Sequence, residues 1–384
     1  MTSAWPRRFP TFTLAAALGL VALPGGLNPR LAAADPAAKP DPAELKAVLD
    51  KAYDALKAKQ NDDGSFAPKL GGPGITALTT AALIRSGRGP DDPVVAKALK
   101  YLETRVKPDG GVYDKGLANY TTCLAIVAFK EANASGRYDR VIENATKFLK
   151  SLQALDGVDP KDPAFGGVGY DGKGRPDLSN SHFFVEALIA AGASRDDPAV
   201  KAAVAFVGRC QNLPGEFNDQ EFARKATEDD KGGLVYNPFD AEKNQRDGTP
   251  QGGLRSAGAK TYAGLKSFLY AGVSKDDPRV KAAVGWIKRH YTLEQNPGMG
   301  TAGLFYYYHT FAKALSAWGE DRFTDGKGTA HDWRRELFEA LKKRQRPDGS
   351  WVNAGDRAYG ESTPELATAF ALLALSYCQP VAGK

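Results

Sequence analysis

The chain holds little of several residue types that carry chemistry: 4 His, 3 Cys, 2 Met and 5 Trp in 384 residues. Cys123, Cys210 and Cys378 lie far apart, and no CxxC pair exists. That excludes a disulfide framework and a cysteine-based zinc or redox motif, while the pairing of any two stays open. The four histidines lack metal-ligand spacing, so neither a metal nor a cofactor is expected. Long apolar runs are absent. The segment from Phe12 to Leu23 is too short to span a bilayer comfortably. An excess of one charge is also absent. The balance is +6, and without residues 1–34, whose only charges are Arg7, Arg8 and Arg30, 48 basic residues face 45 acidic ones. Nucleic acid is therefore not an expected partner. No collagen period orders the glycines.

What is present is an Ala- and Leu-rich chain with 41 Gly and 24 Pro. The amino terminus reads as an export signal. Arg7 and Arg8 precede the apolar stretch, and Ala32-Ala33-Ala34 offers a cleavage site. The expected organisation is a signal peptide over 1–34, a flexible lead-in over 35–42, one domain over 43–379 and a tail over 380–384. The mature protein is expected in the periplasm or secreted, without a transmembrane span, and as a monomer.

The domain repeats. Asp-Asp-Pro recurs at 91–93, 196–198 and 276–278, each time before an apolar helical pattern. Asp caps the free N–H groups of a first turn, and Pro suits the first helical position. A second signature, Gln-x3-Gly-x-aromatic, occurs at Gln60, Gln211 and Gln345, with weaker copies near Gly110, Gly166 and Gly298. The glycine anchors fall at 64, 110, 166, 215, 298 and 349, mostly near fifty residues apart, with an insertion over 218–258. Each anchor sits between a longer, charged helix and a shorter apolar one. Six helical hairpins, about twelve helices, follow from this spacing. They can stack openly or close into a ring. Closure is favoured, because the second helices are nearly unbroken apolar runs with few charges. The fold expected is an all-α (α/α)6 toroid, with the starts of the inner helices rimming one mouth.

The Gln-x3-Gly-x-aromatic pattern resembles the QW motif of squalene-hopene and oxidosqualene cyclases. The six hairpins resemble the toroid shared by terpenoid cyclases and protein prenyltransferase β subunits. The resemblance covers most of 43–379 and implies that these Gln and aromatic side chains staple one outer helix to the next hairpin. Cyclases of the second class carry D-x-D-D-T-A, whose middle Asp protonates an alkene or epoxide. The best match is Asp177-Leu178-Ser179-Asn180-Ser181-His182. Asp177 aligns with the first Asp, while Ser179 stands at the proton donor and Asn180 at the next Asp. A hydroxyl is no strong acid, so the resemblance implies a cyclase-like ring without polyene cyclisation. Tyr308-His309-Thr310 is similar to the zinc-histidine region of the prenyltransferases, but Gly258-Ala259-Lys260-Thr261-Tyr262 has no Asp-x-Cys to accompany it.

Candidate catalytic residues are Asp177, His182 and Glu361. His182 can act as a weak base, and two carboxylates opposed across the ring would suit glycoside or uronate chemistry. Candidate ligand-binding residues are Tyr120, Asn180, Tyr262, Tyr307 and His309. Of the run Tyr306–His309 at most two can face inward, since a helix turns about 100° per residue. The functional expectation is an exported toroid that binds an apolar ligand (isoprenoid or lipid) or a peptide or glycan. The alternatives are a polysaccharide lyase or hydrolase on an α/α barrel, a protein-interaction scaffold, and a divergent terpene cyclase.

Overall fold

The structure, a computed structural model, describes residues 39–239, 248–356 and 359–379. The signal segment, most of the lead-in, part of the insertion and the tail lie outside these residues. In chain order the helices are α1 (Pro42–Lys57), α2 (Pro68–Gly71), α3 (Pro73–Arg85), α4 (Pro93–Glu103), α5 (Ala118–Glu131), α6 (Asp139–Ser151) and α7 (Leu178–Ala190). They continue as α8 (Pro198–Arg209), α9 (Glu221–Arg224), α10 (Gly258–Tyr270), α11 (Pro278–His290), α12 (Leu304–Trp318), α13 (Trp333–Arg344) and α14 (Pro364–Leu375). A two-residue antiparallel pair, β1 (Phe323–Thr324) with β2 (Ala330–His331), interrupts the otherwise all-α chain between α12 and α13. No described helix is long and apolar enough to cross a membrane.

The inner helices α3, α5, α7, α10, α12 and α14 pack each on the next, and α14 packs back on α3. That closes the ring. The outer helices lie against them, α4 touching α3 and α5, and α6 touching α5 and α7. The inner helices are buried on nearly every side, which is why the apolar residues of α3, α5, α7 and α14 show no one-sided pattern. The outer helices keep a charged face. Local sequence sets their starts as expected: Asp92, Asp197 and Asp277 accept from first-turn N–H groups, with Pro at the first position.

The glutamines form the seams. Gln60 Nε2 donates to Gly64 O and to Val94 O on α4. Gln153 donates to Gly166 O and Ala199 O, and Gln345 to Gly349 O and Val48 O. The last therefore ties the end of the chain to α1. Gln211 departs from the expected pairing. Its amide donates to Gly232 O and Arg279 O, not to Gly215. The insertion separates this glutamine from its glycine, so the anchor is Gly232. A Cβ there would stand 2.4 Å from Ala282 O, while one on Gly215 would meet nothing within 4 Å. Gly166 repeats the contact, its Cβ position lying 1.9 Å from Ala202 O, with φ +82.

A further repeat ties each loop to its inner helix. Side-chain hydroxyls of Thr76, Thr122, Ser181, Thr261 and Thr368 accept from the backbone N–H of Phe66, Val112, Val168, Leu234 and Trp351. These buried N–H groups would otherwise lack a partner. The three cysteines are free and buried.

Candidate functional site

The first turns of all six inner helices surround a cavity of about 570 Å³. Ile75 and Leu78 of α3, Tyr120 of α5, Phe183 of α7 and Leu366 and Phe370 of α14 supply apolar and aromatic walls. Tyr306 of α12 and Tyr359 of the loop between α13 and α14 stack with centroids 5.9 Å apart. The insertion adds Tyr236 and Arg255, so it forms part of the wall. Among the described residues, no Asp or Glu lines this cavity.

Two cations among the described residues do line it. Lys260 opens α10, and its Nζ donates to Ser179 Oγ at 2.7 Å. The same ammonium stands 5.1–5.3 Å from the ring centres of Tyr236, Tyr306 and Tyr359. Such faces attract a cation and hold it in place. Arg255 is exposed at the wall and makes no hydrogen bond or ion pair among the described residues.

Beneath the cavity the ring axis is filled by charge. Glu186 of α7 pairs with Lys266 Nζ at 2.8 Å and with Lys313 of α12, all three nearly inaccessible. Burial alone would raise the Glu186 pKa, but Lys266, Lys313 and Arg85 hold it well below the usual carboxylate range. Burial lowers both lysines, Lys313 to about 7, against the pull of Glu186. His182 lies one turn before Glu186 on the same face. Its Nδ1 is 2.9 Å from Lys266 Nζ and its Nε2 is 2.7 Å from Tyr306 Oη. Burial, then Lys266, pushes His182 well below the normal histidine pKa and keeps it neutral. His309, between Phe183 and Phe370, is likewise held neutral by burial and Lys313, and neither ring nitrogen has a hydrogen-bond partner among the described residues.

Residues 71–227 match the family model of the squalene-hopene cyclase C-terminal domain. Over these residues the chain is similar to that domain, and its fold is an α/α toroid. Among solved structures, a type II terpene cyclase from Scytonema, MstE, aligns at TM-score 0.52 and 15% identity, over 88% of this chain and 98% of that one. A protein from Actinoplanes aligns at 0.54 and 15%, over 87% and 99%. A D-mannose isomerase aligns at 0.54 and 11%, over 88% and 97%. At these identities the likeness shows the fold alone, and the named chemistries differ. No curated protein matches the sequence.

Within this cyclase-like ring, the segment 177–182 divides by direction. Ser179, at the position the resemblance gives to the acid, lines the cavity. Asp177 does not. It caps α7 by accepting from Asn180 N at 2.8 Å, accepts from Asn180 Nδ2 at 2.8 Å, and bonds Tyr236. Burial raises its pKa, and the Asn180 bonds oppose this. Asn180 also bridges to Asn119. Glu361 lies outside the lining. It accepts from Tyr306 N at 2.7 Å and Asn353 Nδ2 at 2.9 Å, so it caps α12 from another repeat. Burial raises its pKa to about 7, and those bonds lower it.

Of the tyrosines, Tyr120 lines the cavity, edge-on to Phe183. Tyr262 packs instead on Tyr307 and Phe311, and Tyr307 donates outward to Thr292 O. Within the run at 306–309 the cavity residue is Tyr306. Sequence reasoning passed over Lys260, Arg255, Tyr236, Glu186, Lys266 and Lys313. The usable sign was a charge inside an otherwise apolar inner helix, which a closed ring must turn inward.

Proposed function

We propose that this toroid is exported and binds an apolar small molecule with one anionic end, and that it does not start cyclisation by protonating an alkene. The cavity lining carries this reading: apolar and aromatic walls, Lys260 and Arg255 as cations, and, among the described residues, no carboxylic acid. A cavity of about 570 Å³ lies within the ordinary range for small-molecule sites. Protonating an isolated alkene needs a strong acid. The position of that acid holds Ser179, whose hydroxyl accepts from Lys260. The n–h–c pattern before Asp35 supports the export half of the reading.

The test uses the mature chain starting at Asp35. Its small molecules are extracted and identified by mass spectrometry, and binding of dansyl-undecanoic acid is titrated by fluorescence. An acidic amphiphile in the extract and saturable probe binding are expected. Lys260→Met with Arg255→Met should weaken the probe roughly tenfold or more, and Ile75→Trp should block it by filling the wall. No saturable binding to folded protein removes the ligand reading. A cyclised product from a linear polyprenyl substrate removes the claim about cyclisation.

A further inference from the structure

The charged group below the cavity is costly. Each buried ion carries a desolvation penalty of several kcal/mol, and apolar side chains of equal volume fill such space as well or better. Glu186, Lys266 and Lys313 cap no helix, and they join inner helices of three successive repeats. They do form a continuous hydrogen-bonded path that ends at the cavity wall. Three helices bring it together: α7 gives His182 and Glu186, four residues apart on one face, α10 gives Lys266, and α12 gives Tyr306 and Lys313.

The donors and acceptors fix the direction of the path. Lys266 Nζ has three acceptors in reach: Glu186 Oε2 at 2.8 Å, His182 Nδ1 at 2.9 Å and His182 O at 3.2 Å. An ammonium has three N–H bonds, one for each. With Nδ1 accepting, the hydrogen of neutral His182 sits on Nε2 and points at Tyr306 Oη, 2.7 Å away. The phenol's own hydrogen is then directed away from His182, and its other hydrogen-bond partner is Ser179, which also lines the cavity.

We propose that Tyr306 is an acid at the cavity wall, resupplied with protons from Lys266 through His182, and that it acts on a carbonyl oxygen of an apolar ligand. The Tyr306 O–H bond breaks and its proton passes to the ligand oxygen. The Nε2 hydrogen of His182 moves to Tyr306 Oη, and one Lys266 proton moves to His182 Nδ1. Lys266 is left as an amine beside Glu186, and no electrons are exchanged. A C–H proton next to the carbonyl leaves to water in the same step, so that no protonated ketone stands alone and the enol forms directly, and reversal restores the ketone. Burial, which already lowers the Lys266 pKa, favours the amine. A phenol of this kind is far too weak to protonate an alkene, but hydrogen-bonding and proton transfer to a carbonyl oxygen suit it. His182, Lys266 and Glu186 are positioning residues in this scheme.

The inference rests on the cavity holding an apolar ligand, so binding and chemistry are read separately. The probe is methyl nonyl ketone. Its binding is followed by calorimetry, and hydrogen–deuterium exchange beside its carbonyl by proton NMR in D2O. The wild type should accelerate exchange by roughly 10²-fold or more over buffer. Tyr306→Phe should lose that acceleration with binding changed less than about threefold, since the phenyl ring still fills the wall. His182→Gln should lose most of it. Saturable binding with exchange at the buffer rate overturns the relay. If the ketone does not bind, the cavity reading fails, and nitrogen NMR of the histidines in the unliganded wild type judges the relay. The expected state is neutral His182 protonated on Nε2, with a coupling that disappears in Tyr306→Phe. Protonation on Nδ1 reverses the path and overturns the proposal.

Discussion

The same six inner helices build two unlike interiors. Their first turns carry Gly74, Tyr120, Ser179, Tyr306 and Leu366 and surround a cavity. Their later turns carry Glu186, Lys266 and Lys313 and fill the axis with ions. Arg85, at the end of α3, continues the filling, donating to Tyr377 Oη at 2.9 Å and to Glu131 at 2.7 Å. Aromatic and aliphatic side chains wall the open end, while paired charged side chains reach across the other. The difference lies in side chains, not in backbone. Stability should therefore depend on the filled end, and binding on the open one.

The sharpest break of that contrast is Glu186→Ala. It strands two buried lysines, and about 3–5 kcal/mol of stability should be lost. Urea unfolding of the variant checks this. Replacing the trio together, Glu186→Leu with Lys266→Met and Lys313→Met, should return stability to within about 1 kcal/mol of the wild type, because no ion is left unpaired. At the other end, Arg255→Gln should change stability by less than about 0.5 kcal/mol, since the residue is exposed and has no partner among the described residues. A Glu186→Ala variant as stable as Arg255→Gln would sink the division of labour between the two ends.

Glu361, behind the cavity wall, gives a smaller effect with a definite sign. Its folded pKa is raised from 4.5 to about 7, so the folded state holds the proton more tightly. Between those values the folded chain binds more protons than the unfolded chain. Its contribution to stability is complete below pH 4.5 and declines as pH rises toward 7, by up to about 3 kcal/mol. Glu361→Gln removes the titration. Denaturation of both proteins across this window should show their stability difference changing with pH, and a constant difference refutes the assignment.

Much of the frame is legible in the sequence because it depends on local chemistry. Asp before Pro caps an outer helix wherever it occurs, and Gln60 and Gln345 each bond a glycine four residues on. Gln211 shows the limit. Its glycine lies 21 residues away, and no spacing rule sees across an insertion. The site is less legible, since facing depends on helix phase. Tyr120 and Tyr262 hold similar early positions, yet one lines the cavity and the other is turned into the seam by Tyr307 and Phe311. Glu186 is separated by 80 residues from Lys266 and by 127 from Lys313. Each looks like an isolated charge in an apolar helix until ring closure brings them together.

The smallest effect tests closure itself. Gln345 joins the last outer helix to the first through Val48 O, and Gln60 joins the first to the second through Val94 O. In an open stack the terminal seam would matter little, because fraying at an end breaks no other contact. In a closed ring the two seams are equivalent. Gln345→Leu and Gln60→Leu each remove two hydrogen bonds to backbone carbonyls, a loss of about 1–2 kcal/mol apiece. Parallel unfolding curves should show equal losses within about 0.5 kcal/mol, and the double variant should lose less than their sum, since one broken seam already relaxes the ring. A harmless Gln345→Leu beside a damaging Gln60→Leu would mean that the ring opens in solution at the junction of α13 with α1.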